Sequence, residues 1–222
     1  MIPNMAKATS TPQGEFEDER RSARKRRAIL EAATTVFLSN GYLGTSMDEI
    51  AALAHVSKQT VYKHFADKER LFSEIVTATV DEIANPNTDE VLSLRDTGDL
   101  ERDLRRFARG QLRAVMEPRL LQLRRLVIGE AGRFPHLGRL FYDRGPGRTI
   151  DALTTMFERL VSRGVLELDD PRLAAAQFNW LVMSIPLNQA MLLGDDEPAT
   201  TAQLRGYADA GVQAFLAAYR TR

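Results

Sequence analysis

TSMDEIAALAHVSKQTVYKHF, Thr45 to Phe65, decides how this chain is read. Ser46 stands three residues before Glu49, the spacing at which a hydroxyl and a carboxylate reciprocally satisfy the free amide hydrogens of a helix start. Met47, Ile50, Ala51 and Ala54 then recur at intervals of three and four, the buried stripe of a very short helix. Only His55 and Val56 separate it from Ser57, which offers a second cap, and Val61 and Phe65 point inward on the helix that follows. Two helices of about two turns joined by a tight turn have the spacing of a helix-turn-helix unit, whose second member can enter a DNA major groove. Its exposed positions here would be Lys58, Gln59, Thr60, Tyr62, Lys63 and His64, a set rich in hydrogen-bond donors and free of carboxylates, which suits an anionic surface.

Outward from this stretch, apolar spacing at three and four continues and strictly alternating β-branched runs are absent, so the expected fold class is all-α. Ile29, Ala33, Val36 and Phe37 line a first helix from about Arg21 to Asn40, closed by Gly41. Asp67 caps a fourth, with Leu71, Ile75, Val76, Thr79 and Ile83 inward, which Asn85 and Pro86 stop. A polar linker, roughly 87–98, precedes a fifth helix with Leu100, Leu104, Phe107, Ala108, Leu112 and Val115 inward. Pro118 starts its successor. Pro135 and the Gly145-Pro146-Gly147 run read as breaks, Pro186 as a kink, and a last helix is expected from about Pro198 to Tyr219. The organisation this predicts is a flexible tail over 1–20, a helix-turn-helix domain with its linking fourth helix over 21–85, and a larger helical domain over 86–222.

Composition narrows the function classes. The 222 residues, 44% hydrophobic and 27% charged, can bury a sizeable core. Thirty Lys and Arg balance thirty Asp and Glu, yet from Arg20 to Ala66 eight basic residues face three acidic ones, so the neutral total hides a basic end. With no cysteine and three scattered histidines, neither thiolate chemistry nor a metal site is expected, and no cofactor is implied. G-x-S-x-G, H-E-x-x-H and a phosphate-binding glycine loop are all missing, so no enzyme is expected; Asp169 and Asp170 read as capping residues before Pro171. Met1 to Glu15 lack the apolar run of a secretory signal. Leu173 to Gly194 carry no charge over twenty-two residues, but their amides and Pro186 argue for a helix buried in protein rather than in a bilayer. A cytoplasmic location, at the nucleoid when DNA is bound, is expected.

On RAILEAATTVFLSNGYLGTSMDEIAALAHVSKQTVYKHFADKERLF, Arg27 to Phe72, the chain resembles the TetR (tetracycline repressor) family of bacterial transcription regulators. The Gly-Tyr, the Thr-Ser-Met start, the Ser after the turn and the Tyr-x-His-Phe all fall in register. IGEAGRFPHLGRLFYDRG, from Ile128, and LDDPRLAAAQF, from Leu168, resemble a ligand-binding domain found in one branch of that family. The resemblance implies that Thr45 and Ser46 meet a backbone phosphate. Lys58, Gln59, Thr60 and Lys63 would face base edges or adjacent phosphates, Gln59 pairing with adenine and Lys58 or Lys63 with guanine. Tyr62, His64 and Lys68 would hold phosphates, and the Arg20 to Arg27 cluster, with Arg24 and Arg27, resembles the basic arm some members lay on the backbone. Where the family usually has a turn glycine this chain has His55, so the turn should survive with some left-handed strain.

The resemblance further implies a homodimer on an inverted-repeat operator, with a small-molecule effector bound in the larger domain. Gln177, Trp180, Ser184 and Asn188 share a helical stripe that reads equally as an effector pocket, with Phe107, or as a subunit contact. The last two helices are the expected dimer interface. Arg102, Arg105, Arg106, Arg109 and Arg113 read as an exposed face paired with Asp99, Glu101 and Asp103, or as attraction for an acidic effector. The alternative function is a small-molecule binding or sequestering protein whose basic end is incidental.

Overall fold

The computed structural model describes residues 12–86, 88, 91, 98–194 and 198–221. The tail expected over 1–11 and most of the linker expected over 87–98 lie outside these. Two compact units divide the chain, residues 1–75 and 76–222, with the division inside the fourth helix rather than after it. The described residues contain helices and no named strand.

In the first unit, α1 runs from Pro12 to Gly44. The tail expected through residue 20 is therefore helical from Pro12, because the Glu and Arg residues from Glu15 to Arg27 are good helix formers and simply extend the run. Gly41, at φ 72 and ψ 174, interrupts it as expected; that backbone region is open essentially to glycine alone. Ile29, Ala33, Val36 and Phe37 are buried along its inner side. The Phe37 ring lies 5.8 Å from Tyr42 and 4.9 Å from Phe72 of α4 (Lys68–Ile83), and Tyr42 lies 5.3 Å from Phe72.

Between them sit α2 (Met47–Leu53) and α3 (Lys58–His64). Ser46 Oγ accepts from the Glu49 amide at 3.1 Å and Ser57 Oγ from the Thr60 amide at 3.1 Å. Only half of the expected capping box forms, since the Glu49 carboxylate accepts from the Asn40 side-chain amide at 2.9 and 3.0 Å. His55 sits at φ 54, the one described non-glycine residue with positive φ. Asp67 Oδ1 caps α4 by accepting from the Arg70 amide at 2.7 Å.

The second unit contains α5 (Leu100–Val115), α6 (Pro118–Glu130), α7 (Pro135–Tyr142), α8 (Arg148–Ser162), α9 (Pro171–Leu193) and α10 (Thr201–Tyr219). Asp99, Glu117 and Asp170 cap α5, α6 and α9, and Thr200 with Gln203 forms the reciprocal box of α10. The break expected at Gly145-Pro146-Gly147 is instead one wide π turn, Asp143–Gly147, that carries α7 into α8. Pro146 removes an amide donor, and the chain absorbs the loss by widening a turn rather than ending the helix. Likewise α9 runs on through Pro186.

Phe107, Phe157, Phe178 and Phe215, one from each of α5, α8, α9 and α10, form the aromatic centre of the core, with ring centroids 4.9 to 6.2 Å apart. A Cβ at Gly211 would stand 2.9 Å from the Leu181 carbonyl oxygen, so the close backbone approach expected of the last helix is made to α9 of the same chain. Among the described residues no helix is long and apolar enough to cross a membrane.

Left-handed backbone costs an L-residue about 1–2 kcal/mol, and β-branched side chains suffer most there. His55→Gly should therefore hold or raise the melting temperature, whereas His55→Val should lower it, by urea or thermal denaturation of the full chain.

Candidate nucleic-acid interface and enclosed cavity

The Ser57 cap sets α3 off from a turn fixed by His55, and the side of α3 opposite buried Val61 faces solvent. Lys58, Gln59, Tyr62 and Lys63 are exposed there, with Thr60 and His64 half-buried. No carboxylate lies on α3 itself. One reaches it from α2: Asp48 pairs with Lys58 Nζ at 2.7 Å, and that hydrogen bond, then the charge of Asp48, raises the Lys58 pKa above the usual lysine value. Thr60 and Ser57 share a hydroxyl hydrogen bond at 2.8 Å. The His64 pKa is pushed below the usual histidine value by burial first, then by Lys63, Arg26 and Lys25, so α3 ends beside the basic side of α1. Arg26 lies 5.2 Å from the Phe65 ring centroid and pairs with Glu74. Arg24 is exposed, and exposed Arg27 pairs with Glu31 at 2.8 Å.

Two of the expected phosphate contacts are committed elsewhere. Thr45 is buried and donates its hydroxyl to the Gly41 carbonyl at 2.7 Å, while Ser46 stays exposed. Lys68 Nζ donates to the carbonyls of Tyr42 at 2.8 Å and Thr45 at 3.0 Å, and lies 4.8 Å from the Tyr42 ring centroid. Its ammonium thus ties the end of α1 to the start of α2. A sequence pattern cannot reveal this, because the partners are backbone atoms more than twenty residues away.

In the second unit, Gln177, Trp180 and Ser184 of the expected effector residues line one wide, open hollow, and Phe107 and Asn188 lie outside it. Phe107 is buried and stacks 6.2 Å from Phe178. Gln177, Trp180 and Asn188 are exposed and Ser184 half-buried, all on the outer face of α9, where the Tyr219 hydroxyl donates to Gln177 and Asn188 Nδ2 to the Ser184 carbonyl at 2.9 Å. That face belongs to an open apolar surface with Leu173, Leu181, Ala214 and Ala218.

Four of the α5 arginines are paired within the chain. Arg105 pairs with Glu101 at 2.6 Å, Arg102 and Arg106 with Asp103, and Arg109 makes a two-pronged pair with Asp209 of α10 at 2.7 and 2.6 Å. That hydrogen bonding lowers the Asp209 pKa and raises that of Arg109.

A small cavity of about 20 Å³ lies elsewhere, walled by Val80, Leu120, Phe141 and Met183, with Gln111, Arg124 and Thr149 as polar members, the Thr149 hydroxyl already hydrogen-bonded to that of Thr88. Reading the sequence by composition missed Arg124, although its spacing from Leu120, Leu121 and Val127 puts it on the buried stripe of α6.

Comparison with known proteins gives these features a context. Residues 29–75 match the model of bacterial regulatory proteins of the tetR family, and residues 102–221 that of the C-terminal domain of AefR-like transcriptional repressors. The chain belongs to the TetR family. A TetR-family regulator from Mesorhizobium loti MAFF303099 is 43% identical with a TM-score of 0.82, over 90% of this chain and 99% of that one. The flavonoid-responsive regulator FrrA is 36% identical with a TM-score of 0.74, over the same shares. An HTH-type transcriptional regulator of Bacillus subtilis (strain 168), YhgD, is 48% identical over 59 residues, 27% of this chain and 31% of its own length. The chain spans about a third of the length of the curated relatives it matches. The helix-turn-helix assignment of residues 46–65 thus stands within the matched segment.

Hydrogen bonds from charged donors are worth about 1.5–3 kcal/mol each when their loss strands a partner. Lys68→Ala should therefore lower stability by about that much, measured by urea denaturation; unchanged stability would return Lys68 to the list of free phosphate ligands.

Proposed function

We propose that the chain is a repressor that binds an inverted-repeat operator as a homodimer and is released by a small-molecule effector. Residues 21–85 would carry DNA recognition and 86–222 the effector and the dimer contact. The observation that carries this reading is the exposed, carboxylate-free face of α3 within the matched family segment.

Gln59 has the chemistry to pair with adenine in the major groove, and Lys58 or Lys63 with guanine, Lys58 exchanging Asp48 for the DNA. Ser46, Tyr62, His64, Arg24 and Arg27 would contact phosphates and so position without discriminating. The Thr45 and Lys68 side chains, engaged with backbone carbonyls, are left out of this set.

One reading helix covers a few base pairs; two related by a two-fold axis read half-sites about 34 Å apart, or a multiple of that. The open apolar surface of α9 and α10, with Trp180 and Ile185 exposed, supports a second copy as its occupant. An effector would act by binding better to a state in which the reading helices are wrongly spaced, and DNA would reciprocally weaken its binding. The enclosed cavity is the supported effector site, in place of the outer face of α9.

Selection of random duplexes by the purified full chain should recover an inverted repeat bound with steep salt dependence. Failure to retain any duplex at low salt would leave a small-molecule binding protein as the reading. Gln59→Ala should relax preference at particular base pairs by about 1–3 kcal/mol and leave the rest of the recovered sequence unchanged.

His64 supplies a pH test. Its lowered pKa keeps it neutral near pH 7, and a neighbouring phosphate would raise that pKa, so binding takes up a proton. DNA affinity should rise as pH falls from about 7.5 toward 6, and His64→Gln should lose that rise in anisotropy titrations.

A further inference from the structure

We propose that the enclosed cavity selects an organic anion, a carboxylate or phenolate on an apolar body, whose negative group pairs with Arg124. This rests on the reading that the cavity is the effector site and adds the chemical class of the effector.

The geometry isolates one cation. Arg124 lines the cavity, its Nε is shut off from solvent without a hydrogen-bond partner among the described residues, and no described carboxylate pairs with it. Burial lowers its pKa to about 10, which still leaves it charged at neutral pH. The contact it does make is with the face of Phe141, 5.0 Å from guanidinium carbon to ring centroid, a quadrupole and not a counter-charge. The residue as a whole is half-buried, so its charge is partly withdrawn from water without a described counter-ion, and an incoming anion recovers part of that cost as affinity. The contrast with α5 is direct, since its Arg105 and Arg109 each face a carboxylate within 2.7 Å.

A second polar feature lies on the same wall. Gln111 donates through Nε2 to Asn179 Oδ1 at 3.0 Å, leaving Gln111 Oε1 and Asn179 Nδ2 buried without partners among the described residues. Since Gln111 lines the cavity, its free amide atom is available to a hydroxyl on the ligand body. The other walls named above are apolar, so an anion too hydrophilic to fill them gains little. At about 20 Å³ the space holds roughly one water, so any effector must widen it, and the unbranched Met183 side chain is suited to yield.

The test uses the full chain and calorimetry at pH 7.5 with benzoate, 2-naphthoate and decanoate, each beside its primary amide. At least one carboxylate should bind tenfold or more tightly than its amide. Arg124→Met should abolish that preference, so that each acid binds no more tightly than its amide, while leaving the circular dichroism spectrum unchanged. Ala114→Phe, which fills the cavity, should block acid and amide alike. Equal binding of every acid and its amide, a preference that survives Arg124→Met, or no binding by any probe would each overturn the proposal. DNA affinity separates the two levels. If acids and amides both release DNA equally, the effector reading stands and the anion class falls; if acids bind through Arg124 without changing DNA affinity, the site is anionic but is not the switch.

Discussion

The Lys68 ammonium governs the amino-terminal unit. From the first turn of α4 it reaches the carbonyls of Tyr42 and Thr45, the stretch where the regular course of α1 has already been broken at Gly41. Those carbonyls belong to an irregular segment that no helix ladder can satisfy, and one cation satisfies both. Tyr42, held beneath it against Phe37 and Phe72, adds the apolar half of the same joint. The direction in which α2 leaves α1 follows from this joint. The placing of α3 follows in turn, because only four residues, 54–57, separate the pair.

Charge is handled differently in the second unit. Along α5, arginines alternate with or reach across to carboxylates, and the two-pronged pair of Arg109 with Asp209 joins α5 to α10 over the aromatic centre. Such partly exposed pairs fix geometry more than they add stability. Arg124 departs from the pattern: it sits among apolar neighbours with an aromatic face in place of a counter-ion.

What could be read from the sequence was local. Ser46, Ser57, Asp67 and Asp170 announce helix starts because the capped amide lies three residues away, and each caps as expected; Asp99, expected only as a partner of the α5 arginines, caps α5 in the same way. His55 was legible as a left-handed turn residue through the family resemblance, where glycine is usual at that place. The reading failed where the deciding partner is distant or where the periodicity itself changes. Glu49 turned to Asn40, so half a capping box is missing, and the side chains of Thr45 and Lys68 are engaged by backbone carbonyls. The Gly145-Pro146-Gly147 run looked like a stop because turn signals presume an α register, which a π turn evades. The Gln177 to Asn188 stripe gave no sign of which way it faced, and a cavity contributed by several helices has no linear signature.

Gly211 has one more consequence. Its missing side chain lets α10 rest against the main chain of α9 at Leu181, a residue whose own side chain is 44% exposed on the opposite side. Tight seating within one chain therefore brings Leu181, Ala214 and Ala218 together on one outward plane of the two helices. A single methyl group at 211 would wedge that plane open from behind, altering the outer contour without touching any atom on it.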